Sequence, residues 1–276
     1  MNESEVRHII KQFEYKPHRL RGQNFLCDPK VPKAIVDVIG KEYSGPVLEI
    51  GPGLGALTRL LVKRFSTVTA LEIEQEFAVY LQSELSQSDA LQIINIDALC
   101  YDFTAFNNAE PYVLFANVPY SITTPLMKKL FLEGGAWSSM ILLVQKEAGQ
   151  RICEGKGRTN SPLTLLTEYF SIAKMCFDVP PSAFWPRPKV MSSVIRLDRR
   201  DKPVVDADIN ELMRLINAAF SERRKVLTNS LSSLDQKGSE YWKTALLECG
   251  LQETVRAEQL GLNEFSQLLA WHKSNK

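Results

Sequence analysis

The chain has no long apolar run, no excess of either charge, no internal repeat and few cysteines, and each absence removes a class of protein. With 33 Lys and Arg against 32 Asp and Glu, the 276 residues carry a formal net charge of +1. No whole-surface attraction to nucleic acid is built in, so any such footprint must come from local clustering. No stretch approaches the ~20 consecutive apolar residues that a membrane-spanning helix needs. The five cysteines, Cys27, Cys100, Cys153, Cys176 and Cys249, follow neither a zinc-ligand spacing nor a paired framework, and an odd number cannot pair completely. A reducing, cytoplasmic setting fits that usage. The N-terminal MNESEVRHIIKQFEYKPHRL holds acids and no sustained apolar region, so no signal peptide is expected. What remains, 45% hydrophobic and 24% charged, is an ordinary soluble composition, long enough for one large domain and one small one.

The first informative stretch is GPVLEIGPGLGALTRLLVKRF (Gly45–Phe65). Val47–Ile50 reads as a short buried strand, and Gly51, Gly53 and Gly55 as a loop that lets backbone approach a ligand closely. Leu57, Leu60, Leu61 and Phe65 then recur at helical spacing. Such a unit presents backbone N–H groups and a helix N-terminus to a polar or anionic ligand group. About twenty residues on, TVTALEIEQEFAVYL gives a second strand ending at Glu72, whose carboxylate can accept both hydroxyls of a ribose. Glycines and acid together point to an adenosine-type ligand. A nicotinamide dinucleotide and S-adenosylmethionine both satisfy them.

The third and fourth strands separate the two. ALQIINIDALCYDF ends its apolar run at Asp97, which can accept the exocyclic amine of an adenine, although an Asp there is also a common helix cap. YVLFANVPYSITTP then ends a strand, Val113–Ala116, on Asn117, Val118, Pro119 and Tyr120. A dehydrogenase has no use for that tetrapeptide, whereas methylation of an amine does. The lone pair of an adenine N6 is delocalised into the ring, which makes the amine a poor nucleophile. Two acceptors aimed at its hydrogens, the Asn117 side-chain oxygen and the Val118 carbonyl, favour a tetrahedral nitrogen and take up charge developing in the transition state. Tyr120 offers a face on which an extruded base can stack. A sulfonium is already an activated methyl donor, so neither a metal nor a covalent enzyme intermediate is required.

On these residues the chain closely resembles the KsgA family, the ribosomal RNA adenine N6,N6-dimethyltransferases. The resemblance rests on GQNFL (Gly22–Leu26), LEIGPGLGALT (Leu48–Thr58), LEIE (Leu71–Glu74), NVPYSITTPL (Asn117–Leu126) and QKEAGQR (Gln145–Arg151). It continues through FWPRPKV (Phe184–Val190), FSERRKVLTNSL (Phe220–Leu231) and RAEQL (Arg256–Leu260), in family order along nearly the whole chain. It implies a Rossmann-like methyltransferase domain, a mostly parallel sheet with helices on both faces, followed by a small all-helical domain. It implies cofactor contacts at Asn24, Leu26, Gly51, Gly53, Glu72, Asp97 and Asn117, with Phe184 as an aromatic wall opposite Tyr120. S-adenosylmethionine would be the cofactor, leaving as S-adenosylhomocysteine, with no metal. The implied substrate is 16S ribosomal RNA in a small-subunit assembly particle, dimethylated at two adjacent adenosines near its 3′ end by a monomeric enzyme. Val118 and Ser121 depart from the family's NLPYNIS wording, but Val118 would act through its carbonyl.

The alternation of strand and helix gives way to helix alone after DRRDKPVVDADI. The expected boundary therefore lies near Lys202, with a methyltransferase domain and its N-terminal arm over 1–202 and a helical domain over 203–276. In the latter, Leu212, Leu215, Ile216, Ala219 and Phe220 form one apolar stripe. Local basic clusters, Arg21 in the arm, Arg187 and Lys189, and Arg223, Arg224 and Lys225, are the candidates for RNA phosphate. Two rivals stand beside this reading: the related large-subunit rRNA methylases, and a ribosome-assembly or transcription factor that binds RNA and cofactor without turnover.

Overall fold

The apolar runs that end in the glycine loop and in Asn117 lie side by side as hydrogen-bonded parallel strands. They belong to a computed structural model that describes residues 1–15, 23–104, 106, 110–118, 122–154, 160–222, 225–235 and 237–275. The chain divides into two units, Met1–Gly149 with Ala173–Arg199 and Gln150–Ile172 with Arg200–Lys276. Among the described residues no helix is long and apolar enough to cross a membrane.

The strands are β1 (Phe25–Leu26), β2 (Val47–Ile50), β3 (Val68–Glu72), β4 (Leu91–Asn95), β5 (Tyr112–Asn117), β6 (Trp137–Gln145), β7 (Ser171–Val179), β8 (Phe184–Trp185) and β9 (Ser192–Arg199). Seven of them form one sheet in the order β4-β3-β2-β5-β6-β9-β7. From β4 to β6 all neighbours are parallel, and β9 returns antiparallel to β6. Its helices are α1 (Glu3–Gln12), α2 (Lys30–Asp37), α3 (Thr58–Arg64), α4 (Gln75–Glu84), α5 (Thr123–Glu133) and α6 (Lys146–Glu154).

Parallel strands covered on both faces must be apolar along their whole length rather than alternately. Accordingly, every residue of β2 and β3 and all of β5 except Asn117 are buried. Val47, Val113, Phe115, Ile141 and Leu143 share one core with Ile35, Val36 and Ile39 around α2 and with Leu61 and Phe65 around α3. Sequence order runs outward from β2 to β4 on one side and resumes at β5 on the other. That reversal opens a crevice at the C-terminal ends of β2 and β5, where open α/β sheets bind ligands. Pro29 stands at the N-cap of α2, and Asp28 Oδ1 accepts from Lys30 N at 2.9 Å.

The second unit holds α7 (Pro162–Phe170), α8 (Ile209–Ala219), α9 (Leu227–Asp235), α10 (Gly238–Glu248) and α11 (Leu262–Ser274). Ser161 caps α7 and Asp208 caps α8, each satisfying first-turn N–H groups. Leu212, Leu215, Ile216 and Ala219 are buried as the stripe requires, with Trp242, Leu246 and Phe265. Phe220 stays partly exposed, its ring 6.3 Å from that of Phe265. Residues 150–172 join this unit although they precede Lys202. Hydrogen bonds account for it: Asn160 Nδ2 donates to the Leu260 carbonyl at 2.8 Å and Tyr169 OH to that of Ala207 at 2.9 Å.

Phe115 is fully buried in the central strand of the sheet. Phe115→Ala should lower stability by about 3–5 kcal/mol through lost burial and the cavity left behind, measured by denaturant unfolding. A loss under about 1 kcal/mol would mean this core is not close-packed.

Candidate active site

The crevice holds a cavity of about 390 Å³, within the range of small-molecule sites. Asn24, Leu26, Gly51, Gly53, Glu72, Asp97, Asn117, Val118 and Phe184 all line it, so residues spread from the N-terminal arm to β8 converge on one space. Pro119, Tyr120, Arg21, Arg223 and Arg224 lie outside the described residues.

Glu72 ends β3 and points back toward the loop after β2. Its Oε2 accepts from Gly53 N at 2.8 Å and its Oε1 from Glu74 N at 2.9 Å. The loop can present that N–H because Gly51 and Gly53 sit at φ +70° and +55°, a left-handed conformation that side chains with a Cβ rarely adopt. Burial raises the Glu72 carboxyl above the ordinary range, and the two N–H donors oppose that shift. Asn95 Nδ2 and Ile96 N both donate to the Glu72 carbonyl, each bond under 3 Å. Asp97 closes the next turn, accepting from Leu99 N through Oδ1 at 2.8 Å. It is thus both a local cap and a pocket residue.

Asn117 is the last residue of β5. Its Nδ2 donates to the Asn24 carbonyl at 3.2 Å, which orients the amide and leaves Oδ1 as an acceptor. Val118 has a buried side chain, and its N–H donates to the Leu143 carbonyl at 3.2 Å; its carbonyl is the remaining polar group. The arm reaches the site as β1, paired antiparallel with β8, so that Leu26 stands opposite Phe184. Phe184 is buried and supplies an apolar wall.

The basic residues have other surroundings. Arg187 and Lys189 are exposed in the segment after β8, with Glu3 at 3.8 Å from Arg187. Lys225 is ion-paired with Glu222 at 2.6 Å. No group of three or more His, Cys, Asp or Glu among the described residues is arranged to hold a metal ion.

Several pocket residues escaped the sequence reading. Gln23 accepts from Tyr15 OH at 2.6 Å and donates to Glu74 Oε1 at 3.0 Å, tying the arm to the turn beyond Glu72. Ile73, about half exposed, and Phe77 line the same wall. Glu49, inside β2, is 1% exposed, and burial pushes its carboxyl up to about 8, with the Glu72 charge adding and Thr58 opposing. Its one sequence signal is a charge within the apolar run VLEI.

The sheet order, the glycine loop and the carboxylates at successive strand ends define an S-adenosylmethionine-dependent methyltransferase of the Rossmann-like class. The profile of the ribosomal RNA adenine dimethylase family matches residues 15–273, and the chain belongs to that family. A Clostridium acetobutylicum protein named ribosomal RNA small subunit methyltransferase A is 36% identical over 271 residues, spanning 97% of this chain and 98% of the relative. One of the same name from Desulfitobacterium hafniense is 38% identical over 251 residues, spanning 91% and 90%. Among solved structures, a Plasmodium falciparum dimethyladenosine transferase superposes with TM-score 0.75 at 23% identity, covering 91% of this chain and 98% of its own. The 23S rRNA methyltransferase ErmE superposes with TM-score 0.67 at 26% identity, covering 90% and 98%.

The raised Glu49 carboxyl makes a signed prediction for the free protein. Its folded value, about 8, lies above the ordinary 4.5, so the unfolded chain releases that proton first and stability falls as pH rises through this window. Glu49→Gln should remove most of the slope, a difference on the order of a few kcal/mol at the alkaline end. Thermal melts of both proteins from about pH 5 to about pH 9 decide it; parallel curves would dismiss the buried acid.

Proposed function

We propose that this chain transfers methyl groups from S-adenosylmethionine to N6 of two adjacent adenosines near the 3′ end of 16S ribosomal RNA, dimethylating each. The observation that carries the reading is Asn117. Its amide is held by the Asn24 carbonyl at 3.2 Å, and it ends β5 in the cavity that Glu72 and Asp97 also line. The family and the names of the relatives support the same reaction on small-subunit RNA.

The fit to the cofactor rests on donors and acceptors this pocket presents. Glu72 is positioned to accept ribose hydroxyls, Asp97 to accept from the adenine amine through its second oxygen, and Leu26 and Ile73 to offer apolar surface. Asn24, Gly51 and Gly53 present backbone to the methionine end. When bound, the cofactor supplies a methyl group on a sulfonium, an activated donor that needs neither a metal nor a covalent enzyme intermediate. Asn117 Oδ1 and the Val118 carbonyl accept from the two hydrogens of the target amine, localising its lone pair and stabilising the positive charge that develops on nitrogen. Phe184 and Tyr120 enclose the extruded base, and Pro119, directly after the Val118 carbonyl, restricts the backbone between that acceptor and Tyr120. The rest is alignment, because a displacement at carbon depends mainly on how the partners are held.

In this reading residues 1–202 perform the chemistry and 203–276 help dock RNA, with Arg21, Arg187, Lys189, Arg223, Arg224 and Lys225 meeting phosphates. The protein acts as a monomer in the cytoplasm on an assembling small subunit.

Incubation with labelled S-adenosylmethionine and unmethylated small subunits should yield N6,N6-dimethyladenosine on mass spectrometry of the digested RNA. Label in any other nucleoside would overturn the assignment. Asn117→Ala should cut methyl transfer at least ~100-fold while leaving cofactor affinity within a few-fold; near-normal turnover would remove Asn117 from the mechanism. Glu72→Ala should weaken cofactor binding strongly, and an unchanged calorimetric affinity would refute the ribose role.

A further inference from the structure

No step of the proposed reaction uses α1, which precedes the stretch, 15–273, that the family profile matches. Yet its Val6 and Ile10 are buried together with Phe25, Leu54 and Phe77, and those three line the cavity. The helix ends in a distinctive way. Tyr15 N donates to the Ile10 carbonyl and Glu14 N to that of Lys11, each at 3.1 Å, the paired bonds of a Schellman ending. The left-handed residue that this ending requires is Glu14, at φ +49°, the one non-glycine residue with a positive φ among the described residues. Glycine would take that angle without strain. A strained backbone held in place by its surroundings points to a constraint at that position, and what this turn achieves is the placement of Tyr15.

Tyr15 lays its ring against Phe77, with centroids 4.7 Å apart, and its hydroxyl donates to Gln23 Oε1 at 2.6 Å. Packing on Phe77 needs only the ring. The hydroxyl adds a bond that reaches the arm. Gln23 donates at its other end to Glu74 Oε1 at 3.0 Å. The next residue, Asn24, uses its carbonyl to accept from Asn117 Nδ2 at 3.2 Å. Two hydrogen bonds, joined by the Gln23–Asn24 peptide link, thus run from the end of α1 to the amide of Asn117. The last of them is at the long end of the hydrogen-bond range, so it is sensitive to where the Asn24 carbonyl stands.

We propose that Tyr15 is a positioning residue for Asn117. Its hydroxyl fixes Gln23, Gln23 fixes the Asn24 carbonyl, and that carbonyl keeps the Asn117 amide turned so that Oδ1 faces the target amine. No bond is made or broken at Tyr15. It acts on geometry alone, at a step where a small misplacement of the acceptor is costly. The inference rests on the role of Asn117 in the proposed reaction.

Tyr15→Phe tests it, because this change removes the oxygen and keeps the ring on Phe77. At saturating cofactor and RNA the variant should transfer methyl groups about three- to ten-fold more slowly, with S-adenosylhomocysteine affinity within about two-fold of the wild type. A merely structural brace would move affinity or melting temperature and leave this rate alone, so an unchanged rate overturns the proposal. On an Asn117→Ala background the same change should cost nothing further, since the amide that the hydroxyl serves is gone. Costs that multiply in the double variant overturn the proposal as well. A readout independent of turnover is the Asn117 side-chain amide followed by heteronuclear NMR in the free protein. Its hydrogen-bonded N–H should exchange with solvent about ten-fold faster in Tyr15→Phe than in the wild type; equal rates overturn the proposal alone. No methyl transfer from the wild type to small-subunit RNA overturns the functional reading and the proposal together.

Discussion

The pair of hydrogen bonds that Glu72 accepts, from Gly53 N and Glu74 N, is the constraint on which the rest of the pocket depends. A buried carboxylate without donors would cost several kcal/mol. Here the donors are backbone groups from two different strand–helix connections, so one side chain fixes both. The loop after β2 must take up left-handed angles to deliver its N–H, and the turn after β3 must bring Glu74 N back over its own strand. The same turn starts α4 at Gln75 and presents Glu74 to Gln23. Strand ends, glycine loop and N-terminal arm are therefore tied through one carboxylate, and a ligand that also engages it meets a pre-formed site.

Much of this was legible in the sequence because the physical requirements are local. A parallel strand buried on both faces has to be apolar throughout, which marks β2, β3 and β5. A backbone that must approach a ligand requires glycine, and a carboxyl closing an apolar run is conspicuous. What stayed hidden depends on partners distant in the chain. The pairing of Phe25 and Leu26 with Trp185 and Phe184 leaves no periodic signal in two-residue strands. The attachment of residues 150–172 to the helical unit rests on Asn160 and Tyr169 finding carbonyls of Leu260 and Ala207, contacts that no composition shift announces. Glu49 was concealed for another reason: within VLEI one acid reads as ordinary tolerance in a short strand, and only near-complete burial, with Oε2 unpartnered among the described residues, makes it unusual.

Magnitudes also order the basic residues. The Arg187–Glu3 contact, at 3.8 Å with the arginine largely exposed, and the Lys225–Glu222 pair between exposed side chains belong to the class of surface ion pairs worth roughly 0–1 kcal/mol. Exchanging either carboxylate for an RNA phosphate is therefore cheap, and neither pair argues against a role in docking. Arg196 is different. It bonds Asp198 through Nε at 2.8 Å and the Val38 carbonyl through Nη1 at 2.8 Å, contacts that assign it to the frame. A count of basic residues in the sequence gives these positions equal weight, whereas their partners do not.

The same electrostatics explains why an amide, rather than a carboxylate, ends β5. The cavity already contains Glu49, Glu72 and Asp97, and both buried glutamates have carboxyls raised by burial. A fourth acid beside them would be raised further by its neighbours' charges. It would stay protonated in part, offering a donor where the proposed reaction requires an acceptor. Asn117 offers an oxygen of fixed character at every pH, and its own N–H groups are turned aside by the Asn24 carbonyl. In the proposed mechanism the amine becomes a better nucleophile by having its hydrogens held, not by losing one before attack, so a strong base would add nothing to the step. In that mechanism the pH dependence of the reaction should originate in the buried carboxyls of the cavity, Glu49 and Glu72, both raised by burial, and not at Asn117.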